Sequence, residues 1–494
     1  MVPSKADSYD RGQALLRLSE IDPAYPAPRI SSFLSDERND ELLGYVQAEA
    51  FTHVFAGDKR SSPQDFFQEL DRALCKAPSF HLWADIPLCR YRCHFCQFPI
   101  LVTSSRPEQA DVTARRWVDA NIAEAQAWTE AVPALRTTPV GEFCLFGGTP
   151  SVLPAEEIER LMAFYRETFV IDERTSLRAE GSPDSLTDDV LETMRALGFT
   201  ALTYGLQSLD DRLLAVANRR HTGEQALQVR ATAGRMGFTR VDGDLVWGLP
   251  GQTVAGFLSD VDQMIEAEFS TVVAIKLHLR SFHDVDSAIG HVAAAAWEDP
   301  QVRERLAQRG YRWPSLGEQL QMREAAVDRL AAAGYYEHPT TYFVRRDMGP
   351  QVWRSLNLDQ DKQVPQVGIG LGAYSWCEQA EANVTAAPAE YLNRVEKGEI
   401  PLENVTSVSP DHCETRAVQM ALSTCRPLLE EVHRSRFPGS SLLSGRWGTV
   451  FGSLADRGLA RLDHRAGSVT LTEAGTTLVE AIVNTQLGGD TRCA

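Results

Sequence analysis

The feature of the sequence that most constrains the fold is a regular alternation of strand and helix patterns between residues 80 and 279. Short runs rich in β-branched and aromatic residues, which are typical of strands, alternate with longer runs that place apolar residues at helical spacing. Strands are predicted at residues 80–86, 140–146, 175–180, 201–207, 240–247 and 271–279. The alternation therefore predicts an α/β fold in which a parallel sheet with right-handed crossovers forms a full or partial TIM-like (β/α) barrel.

The loop after the first predicted strand carries the triplet Cys89, Cys93 and Cys96 in the spacing C-x₃-C-x₂-C. Three thiolates on one short loop can hold three corners of a [4Fe–4S] cluster, which ordinarily takes four cysteines. Gln97 and Phe98 follow the triplet, so no fourth thiolate lies close by in the sequence. One iron would then keep an open position at which it binds another molecule.

Two other uses of these cysteines stay open at this point, a zinc site and a set of buried free thiols. Zinc requires four ligands, and His94 lies between two of the cysteines, where it is poorly placed to complete the set. Arg90 and Arg92 flank the thiols and favour their deprotonated, metal-binding form. The spacing favours the cluster over both alternatives.

Glycines and polar residues recur along successive predicted strand–helix units, most of them at or just after the end of a strand. In a (β/α) barrel these ends meet at the face where ligands bind. Glycines there allow a ligand to approach the backbone, carboxylates accept hydrogen bonds from ribose or ammonium groups, and arginine grips a carboxylate with two hydrogen bonds. Each residue by itself is equally well a surface residue, but the ordered recurrence predicts a ligand site. The residues are Gly147, Gly148, Thr149, Glu180, Gln207, Arg219 and Asp244.

The cysteine triplet resembles the signature of the radical S-adenosylmethionine (SAM) superfamily. Residues 80–280 and Gly368–Ser375 resemble, more narrowly, oxygen-independent coproporphyrinogen III oxidase and its relatives. The resemblance implies a [4Fe–4S] cluster whose open iron chelates SAM, and an electron that cleaves SAM to a 5′-deoxyadenosyl radical. It also implies two bound SAM molecules. The first is expected near Trp83, Gly147, Glu180 and Tyr374, and the second near Phe95, Gly148, Thr149, Gln207, Arg219, Asp244 and His278.

The sequence departs from the coproporphyrinogen oxidase pattern at the start of the site. Trp83 stands where that family has tyrosine, Asp85 stands where it has histidine, and the oxidase's further cysteine after the triplet is missing. We therefore expect a class C radical SAM methyltransferase or cyclopropanase of a natural-product pathway, which shares the two-SAM scaffold and transfers a SAM-derived carbon to an sp² carbon. The alternative is a coproporphyrinogen oxidase-like porphyrin enzyme or a haem chaperone.

His278 is a candidate catalytic residue, because it lies near the expected second SAM and an imidazole can move a proton at neutral pH. A hydrogen-bonded imidazole at the end of a strand explains this residue equally well. The substrate class is predicted only as a small molecule or a modified peptide.

The chain of 494 residues is too long for one ordinary domain. We expect an N-terminal extension over residues 1–77, a barrel core over 78–380 and a C-terminal α+β, winged-helix-like module over 381–494. The net charge of −18 disfavours a nucleic-acid partner, and no apolar run is long enough to span a membrane. The scattered remaining cysteines predict a reducing cytoplasm. The resemblance implies a reducing electron donor such as flavodoxin or ferredoxin.

Overall fold

The structure, a computed structural model, describes residues 36–47, 50–51, 59–281, 295–350 and 364–487. Much of the N-terminal extension predicted over residues 1–77 therefore lies outside the described residues. The strands are β1 (Ala50–Phe51), β2 (Lys59–Arg60), β3 (Phe80–Ile86), β4 (Leu88–Cys89), β5 (Leu101–Val102), β6 (Val140–Gly147), β7 (Ser176–Gly181), β8 (Ala201–Gln207), β9 (Arg240–Trp247), β10 (Thr271–Lys276), β11 (Arg280–Ser281), β12 (Tyr335–Glu337), β13 (Tyr342–Arg345), β14 (Gln366–Ile369), β15 (Tyr374–Cys377), β16 (Ala380–Val384), β17 (Leu402–Ser407), β18 (Leu428–Leu429), β19 (Ala460–Asp463) and β20 (Ser468–Leu471).

The α-helices fill the connections between the strands and form most of the C-terminal region. They are α1 (Asp40–Gln47), α2 (Pro63–Lys76), α3 (Pro107–Ala131), α4 (Ala155–Thr168), α5 (Asp188–Ala196), α6 (Asp211–Val216), α7 (Gly223–Arg235), α8 (Val254–Glu266), α9 (Pro300–Gln308), α10 (Leu316–Ala332), α11 (Pro388–Val395), α12 (Pro410–Leu422), α13 (Glu430–Arg436), α14 (Gly445–Asp456), α15 (Glu473–Thr477) and α16 (Val479–Thr485). Short 3₁₀ turns lie at Glu37–Asn39, Pro133–Arg136, Pro150–Val152 and Ala296–Glu298.

One large sheet organises the molecule, in the order β12-β13-β10-β9-β8-β7-β6-β3-β14-β15-β16-β17-β2. The strands from β10 to β14 in this order run parallel, and antiparallel strands extend the sheet at both ends. The sheet order runs from β12 at one end to β2 at the other, so the described strands form an open, partial barrel. The predicted α/β fold with a partial barrel is confirmed.

The structure differs from the sequence prediction at two strands. The last predicted core strand, 271–279, ends at Lys276, and the backbone carbonyl of His278 accepts a hydrogen bond from the Gln97 side chain instead of a strand neighbour. The glycine-rich segment near residue 368 contains a short strand, β14, that pairs in parallel with β3. Glycines weaken a strand pattern in the sequence, so tertiary pairing decides this element.

Strand β3 lies in the middle of the sheet, between β6 and β14, and leads into the cysteine loop. Phe80, Leu82, Ala84 and Ile86 are fully buried and belong to the main hydrophobic core. Because side chains alternate along a strand, the intervening residues share the opposite face, which is the barrel interior. This alternation sets polar and aromatic groups inside the barrel.

Glu124 joins three separate elements through one fully buried carboxylate. It accepts hydrogen bonds from the Trp128 indole at 3.0 Å, the Gly370 backbone N–H at 2.9 Å and the Tyr391 hydroxyl at 2.8 Å. These contacts connect α3 to the end of β14 and to α11. Burial raises the pKa of Glu124 to about 7.

A second hydrophobic core lies in the C-terminal region, around the fully buried Trp447, Phe451 and Leu454. Strands β18, β20 and β19 form a small antiparallel sheet there, and helix α1 packs on α16. None of the helices in the described part of the chain has the length and apolar character needed to cross a membrane.

Titration of Glu124 predicts a pH-dependent component of stability. Its pKa of about 7 lies above the ordinary value of 4.5, so the folded state holds a proton that the unfolded state has released between these two values. The contribution of this proton to the free energy of unfolding is therefore fully present below pH 4.5, and it is lost as the pH rises to about 7. Glu124→Gln has no titratable carboxyl at this position. As the pH rises through this window, we expect its free energy of unfolding to increase relative to that of the wild type by up to about 3 kcal/mol.

The measurement is urea unfolding, followed by circular dichroism at several pH values between 5 and 7.5. Glu130→Gln is the matched control, because Glu130 is exposed on the same helix. A pH-independent difference between Glu124→Gln and the wild type would contradict the assignment.

Candidate functional site

A cavity of about 360 Å³ opens at the carboxyl ends of the barrel strands, beside the cysteine loop. Loops and strand ends from β3 to β10 supply its lining. The cavity brings together most of the residues that the sequence singled out, although 160 positions separate the first from the last. These residues are Trp83, Cys89, Cys93, Phe95, Cys96, Gly147, Gly148, Thr149, Glu180, Gln207, Arg219 and Asp244.

Two predicted site residues are not among those that line the cavity. The Tyr374 hydroxyl donates a hydrogen bond to Glu381 at 2.8 Å. His278 contributes its backbone carbonyl as the acceptor for Gln97, at 2.7 Å. Burial, together with Lys276, lowers the pKa of His278 to about 3. The role of Tyr374 in SAM binding and the role of His278 in SAM binding and catalysis stay predictions.

The loop that carries the three cysteines is closed by hydrogen bonds between its two ends. Strands β4 and β5 pair in parallel, which ties the start of the loop to its end. The Arg92 guanidinium donates to the backbone carbonyls of Cys96, Phe98 and Ile100, at 3.2–3.3 Å. The Arg219 guanidinium lies 3.4 Å from the sulfur of Cys93, so a fixed positive charge faces the thiol group.

The residues around the triplet fit an iron–sulfur cluster. A side chain at Gly148 would come within 2.7 Å of the Leu88 carbonyl oxygen and 3.0 Å of the Cys89 sulfur, so only glycine allows this close approach. Burial raises the pKa of Cys89 to about 12, and burial also raises that of Cys96. These thiols therefore require a bound cation to become thiolates.

No three histidine, cysteine, aspartate or glutamate side chains converge on a single metal ion within the described ranges. This finding does not test the cluster, since a cubane places each thiolate on a different iron.

Several polar groups in the cavity wall are buried without a hydrogen-bond partner among the described residues. They are the Thr203 hydroxyl, the Gln207 side-chain carbonyl and the Arg219 Nε–H. Gln207 also has a φ of +65°, which is unfavourable for a residue with a side chain. Buried polar atoms are normally paired, and strained backbone is concentrated at functional sites. This part of the wall is therefore suited to a polar ligand such as SAM.

A second side of the cavity is aromatic. The ring centroids of Trp83 and Phe146 are 5.1 Å apart, and those of Phe98 and Phe146 are 6.2 Å apart. Phe98 is 47% exposed, so the aromatic wall continues from the interior to the mouth of the cavity. Such a wall suits a flat or unsaturated apolar group.

The structure also reveals Arg178, which the sequence analysis missed. It lines the cavity from β7 and donates a hydrogen bond of 2.6 Å to Glu180. The sequence contained a signal for Arg178, because it lies two residues before Glu180 in the same strand, and residues two apart in a strand share a face. Tyr91 and Asp184 were missed as well, and their side chains form a hydrogen bond of 2.9 Å at the cavity.

Curated proteins resemble the chain over most of its length. It is 28% identical over 413 residues to the haem chaperone HemW of Mycobacterium tuberculosis, which covers 83% of this chain and 95% of that protein. It is 21% identical over 404 residues to the oxygen-independent coproporphyrinogen III oxidase of Synechocystis sp., which covers 80% of each. The solved structure of the coproporphyrinogen III oxidase HemN from Escherichia coli, a radical SAM enzyme, has a TM-score of 0.69 at 22% identity, over 84% of this chain and 92% of that one. The structural likeness shows the fold.

These relatives contradict the prediction of a class C methyltransferase or cyclopropanase. The similar curated proteins are haem chaperones and coproporphyrinogen oxidases, so the natural-product and methyl-transfer assignments are wrong, and a modified-peptide substrate has no support. The physical reason for the error is that both branches use the same cysteine loop and the same strand-end residues. These features identify SAM chemistry but not the substrate.

Replacement of the triplet tests the cluster directly. We expect Cys89→Ala, Cys93→Ala and Cys96→Ala each to abolish the iron–sulfur absorption of anaerobically reconstituted protein, because each change removes one of only three thiolates. Cys75→Ala is the matched control, since Cys75 is an exposed free cysteine on α2. Iron content, visible absorption and electron paramagnetic resonance provide the measurement. Undiminished cluster in all three variants would refute the assignment.

The family model described as the Radical SAM superfamily matches residues 84–264, which include the cysteine loop and the strand ends that line the cavity. This match confirms the predicted cofactors, a [4Fe–4S] cluster and SAM. Residues 84–264 are therefore similar to the radical SAM superfamily, and the chain is similar, over most of its length, to haem chaperones and coproporphyrinogen oxidases.

Proposed function

We propose that the chain is a SAM-dependent oxidoreductase that acts on a porphyrinogen-type tetrapyrrole. The observation that carries the proposal is the cavity itself. It combines the cluster cysteines, a polar wall with unpaired groups and an aromatic wall in one space. The relatives support a tetrapyrrole ligand, because both the coproporphyrinogen oxidases and the haem chaperones are named for tetrapyrroles.

The size of the cavity limits how a tetrapyrrole binds. About 360 Å³ lies at the small end of the range for ligand pockets, and SAM occupies part of it. The macrocycle would therefore lie across the mouth, against the exposed ring of Phe98, with one side chain reaching inwards. Arg90 lines the same cavity with a side chain that is 47% exposed, and its Nη1 donates a hydrogen bond to the Asp184 backbone carbonyl. The exposed part of its guanidinium would bind a substrate carboxylate.

The bound cluster and SAM supply a 5′-deoxyadenosyl radical when one electron enters. The chain's residues hold and orient the reactants. Cys89, Cys93 and Cys96 hold the cluster, while the unpaired Gln207 carbonyl and Arg219 Nε–H provide polar contacts for SAM. Trp83 and Phe146 exclude water from the side where a substrate carbon would approach.

The proposed reaction converts a propionate side chain to a vinyl group. The chain R–CH₂–CH₂–COO⁻ becomes R–CH=CH₂ with release of CO₂, one proton and two electrons. One electron leaves with the proton as a hydrogen atom, which converts the 5′-deoxyadenosyl radical to 5′-deoxyadenosine. The other passes to a one-electron acceptor of the cell.

A second SAM molecule is part of this proposal. Phe95, Gly148, Thr149, Gln207, Arg219 and Asp244, which the resemblance assigns to it, all line the same cavity. His278 is not among the residues that line it. Equilibrium binding of SAM to the reconstituted protein gives the number of molecules per chain.

Haem carriage is the second candidate, and two observations favour it. The match to the haem chaperone covers 95% of that protein. Gln97 and Phe98 follow the triplet without the oxidase's further cysteine, and the Gln97 side chain donates a hydrogen bond to the His278 carbonyl. A carrier would bind the face of the macrocycle at the mouth of the cavity without altering it.

Anaerobic turnover with SAM, dithionite and coproporphyrinogen III tests the proposed oxidation. We expect 5′-deoxyadenosine, CO₂ and a decarboxylated tetrapyrrole, measured by mass spectrometry, and none of them with Cys93→Ala. The matched control is Cys75→Ala, which should retain full turnover because the residue is exposed and is not among those that line the cavity.

Haem titration, followed in the Soret region, gives the other arm of the test. Tight haem binding with unaltered coproporphyrinogen would replace the oxidase proposal with the chaperone. Formation of 5′-deoxyadenosine with neither tetrapyrrole altered or bound would contradict both. SAM with a deuterated methyl group is the last check, since label in a tetrapyrrole product would contradict simple oxidation.

A further inference from the structure

The guanidinium of Arg219 connects the cysteine loop to the strand ends of the barrel. Its Nη1 donates a hydrogen bond to the sulfur of Cys93 at 3.4 Å. Its Nη2 donates to the Ser182 hydroxyl at 2.9 Å and to the Gly205 carbonyl at 2.6 Å. Ser182 follows β7 and Gly205 lies on β8, so one side chain links three segments that are far apart in the sequence.

The shape of β8 helps to fix the orientation of Arg219. The strand has a bulge between Gly205 and Gln207, where Gln207 has a φ of +65°. A bulge changes the direction of the groups beside it, and here the Gly205 carbonyl accepts the hydrogen bond from Arg219. A planar guanidinium whose second nitrogen is held by two acceptors has little freedom to turn away from Cys93.

The surroundings of Arg219 leave its first nitrogen to the sulfur. Arg219 forms no ion pair with a carboxylate in the part of the chain that the structure describes. Asp184 belongs to the same network at one remove, because its carboxylate accepts hydrogen bonds from the hydroxyls of Tyr91 at 2.9 Å and Ser182 at 2.5 Å. The arginine that lies 3.8 Å from Asp184 is Arg90.

A hydrogen bond to a cysteine sulfur affects an iron–sulfur cluster in a definite direction. Reduction adds one electron, and therefore one negative charge, to the cluster. A charged donor stabilises the sulfur more in the reduced cluster than in the oxidised one, so it raises the reduction potential. The sulfur of Cys89, by contrast, lies 3.2 Å from the uncharged hydroxyl of Thr149.

We propose that Arg219 raises the reduction potential of the cluster through its hydrogen bond to Cys93. In the step concerned, the oxidised cluster accepts one electron from a reductant, and no bond or proton is exchanged at Arg219. The inference concerns the entry of the electron before any substrate binds. It rests neither on the tetrapyrrole nor on the contact of the Arg219 Nε–H with SAM, so it can fail separately from both.

Arg219→Gln tests the proposal in an anaerobic potentiometric titration of the reconstituted protein without SAM. Dithionite is the reductant, and electron paramagnetic resonance measures the reduced cluster. We expect the ratio of reduced to oxidised cluster at a fixed potential to fall about tenfold. For a one-electron couple this is a shift of the midpoint by about 59 mV to more negative values. Iron content, measured in parallel, distinguishes loss of the cluster from a change in its potential.

An unchanged midpoint in Arg219→Gln would overturn the proposal and leave Arg219 a residue of the ligand wall and of the loop closure. A purely structural role predicts this outcome for the protein that retains its cluster, because the thiolate ligands are then the same. The thermal unfolding temperature reports the structural contribution separately.

Arg220→Gln is the matched control. The guanidinium carbons of Arg219 and Arg220 lie 5.9 and 5.0 Å from the centre of the same Tyr91 ring. Arg220 is exposed, and among the described residues it donates no hydrogen bond to a sulfur. Water and salt screen an exposed charge, so Arg220→Gln should keep the wild-type midpoint. Equal shifts in both variants would contradict the assignment to the bond with Cys93.

Arg219→Lys replaces Arg219→Gln if the glutamine variant takes up no cluster. Lysine keeps the positive charge, but its single nitrogen cannot reproduce the planar fork that holds Cys93, Ser182 and Gly205 together. We expect its midpoint to lie below those of the wild type and of Arg220→Gln. A wild-type midpoint in Arg219→Lys would refute the role of the hydrogen bond.

Discussion

The parallel pairing of β3 with both of its neighbours is the interaction on which the site depends. At the carboxyl end of β3, Asp85 lies between Gly147 of β6 and Gly370 after β14, which have φ values of +121° and +127°. A side chain at either glycine would collide with Asp85. Because both neighbours lack a side chain there, the strand ends can approach closely. The cysteine loop that follows therefore starts from a fixed point at the cavity.

The interior of the barrel shows a conflict between stability and function. Barrel interiors are usually filled by branched apolar residues, but this one contains Arg178, Glu142 and Glu180, and it leaves polar atoms of Thr203 and Gln207 without partners. A buried charge is expensive unless it is paired, and Arg178 lies between the carboxylates of Glu142 and Glu180. Groups of this kind reduce stability in the free protein and become useful when a polar or charged ligand completes their contacts.

The core of the fold and most of the site followed from the sequence, because both depend on local periodicity. The strand pattern placed Gln207 at the end of one strand and Asp244 within the next, and both residues line the cavity. The pairing of Arg178 with Glu142 depends on the register between β6 and β7, which no local pattern specifies. Tyr374 was assigned to SAM binding through a family resemblance, and this role stays a prediction; its hydroxyl donates a hydrogen bond to Glu381. The substrate class was missed for a chemical reason, since the features that bind SAM are common to several reactions.

The dimensions of the cavity constrain what the bound radical chemistry can reach. In the proposed oxidation the macrocycle lies across the mouth, so the reacting carbon is on a peripheral side chain that enters past Phe98. Oxidation of a propionate satisfies this condition, whereas chemistry at the centre of the ring does not. Haem carriage avoids the constraint, because it needs only the aromatic rim at the mouth. The two functions therefore differ in how deeply a tetrapyrrole side chain must enter the cavity. An oxidase must bring the reacting carbon beside SAM, whereas a haem carrier need not.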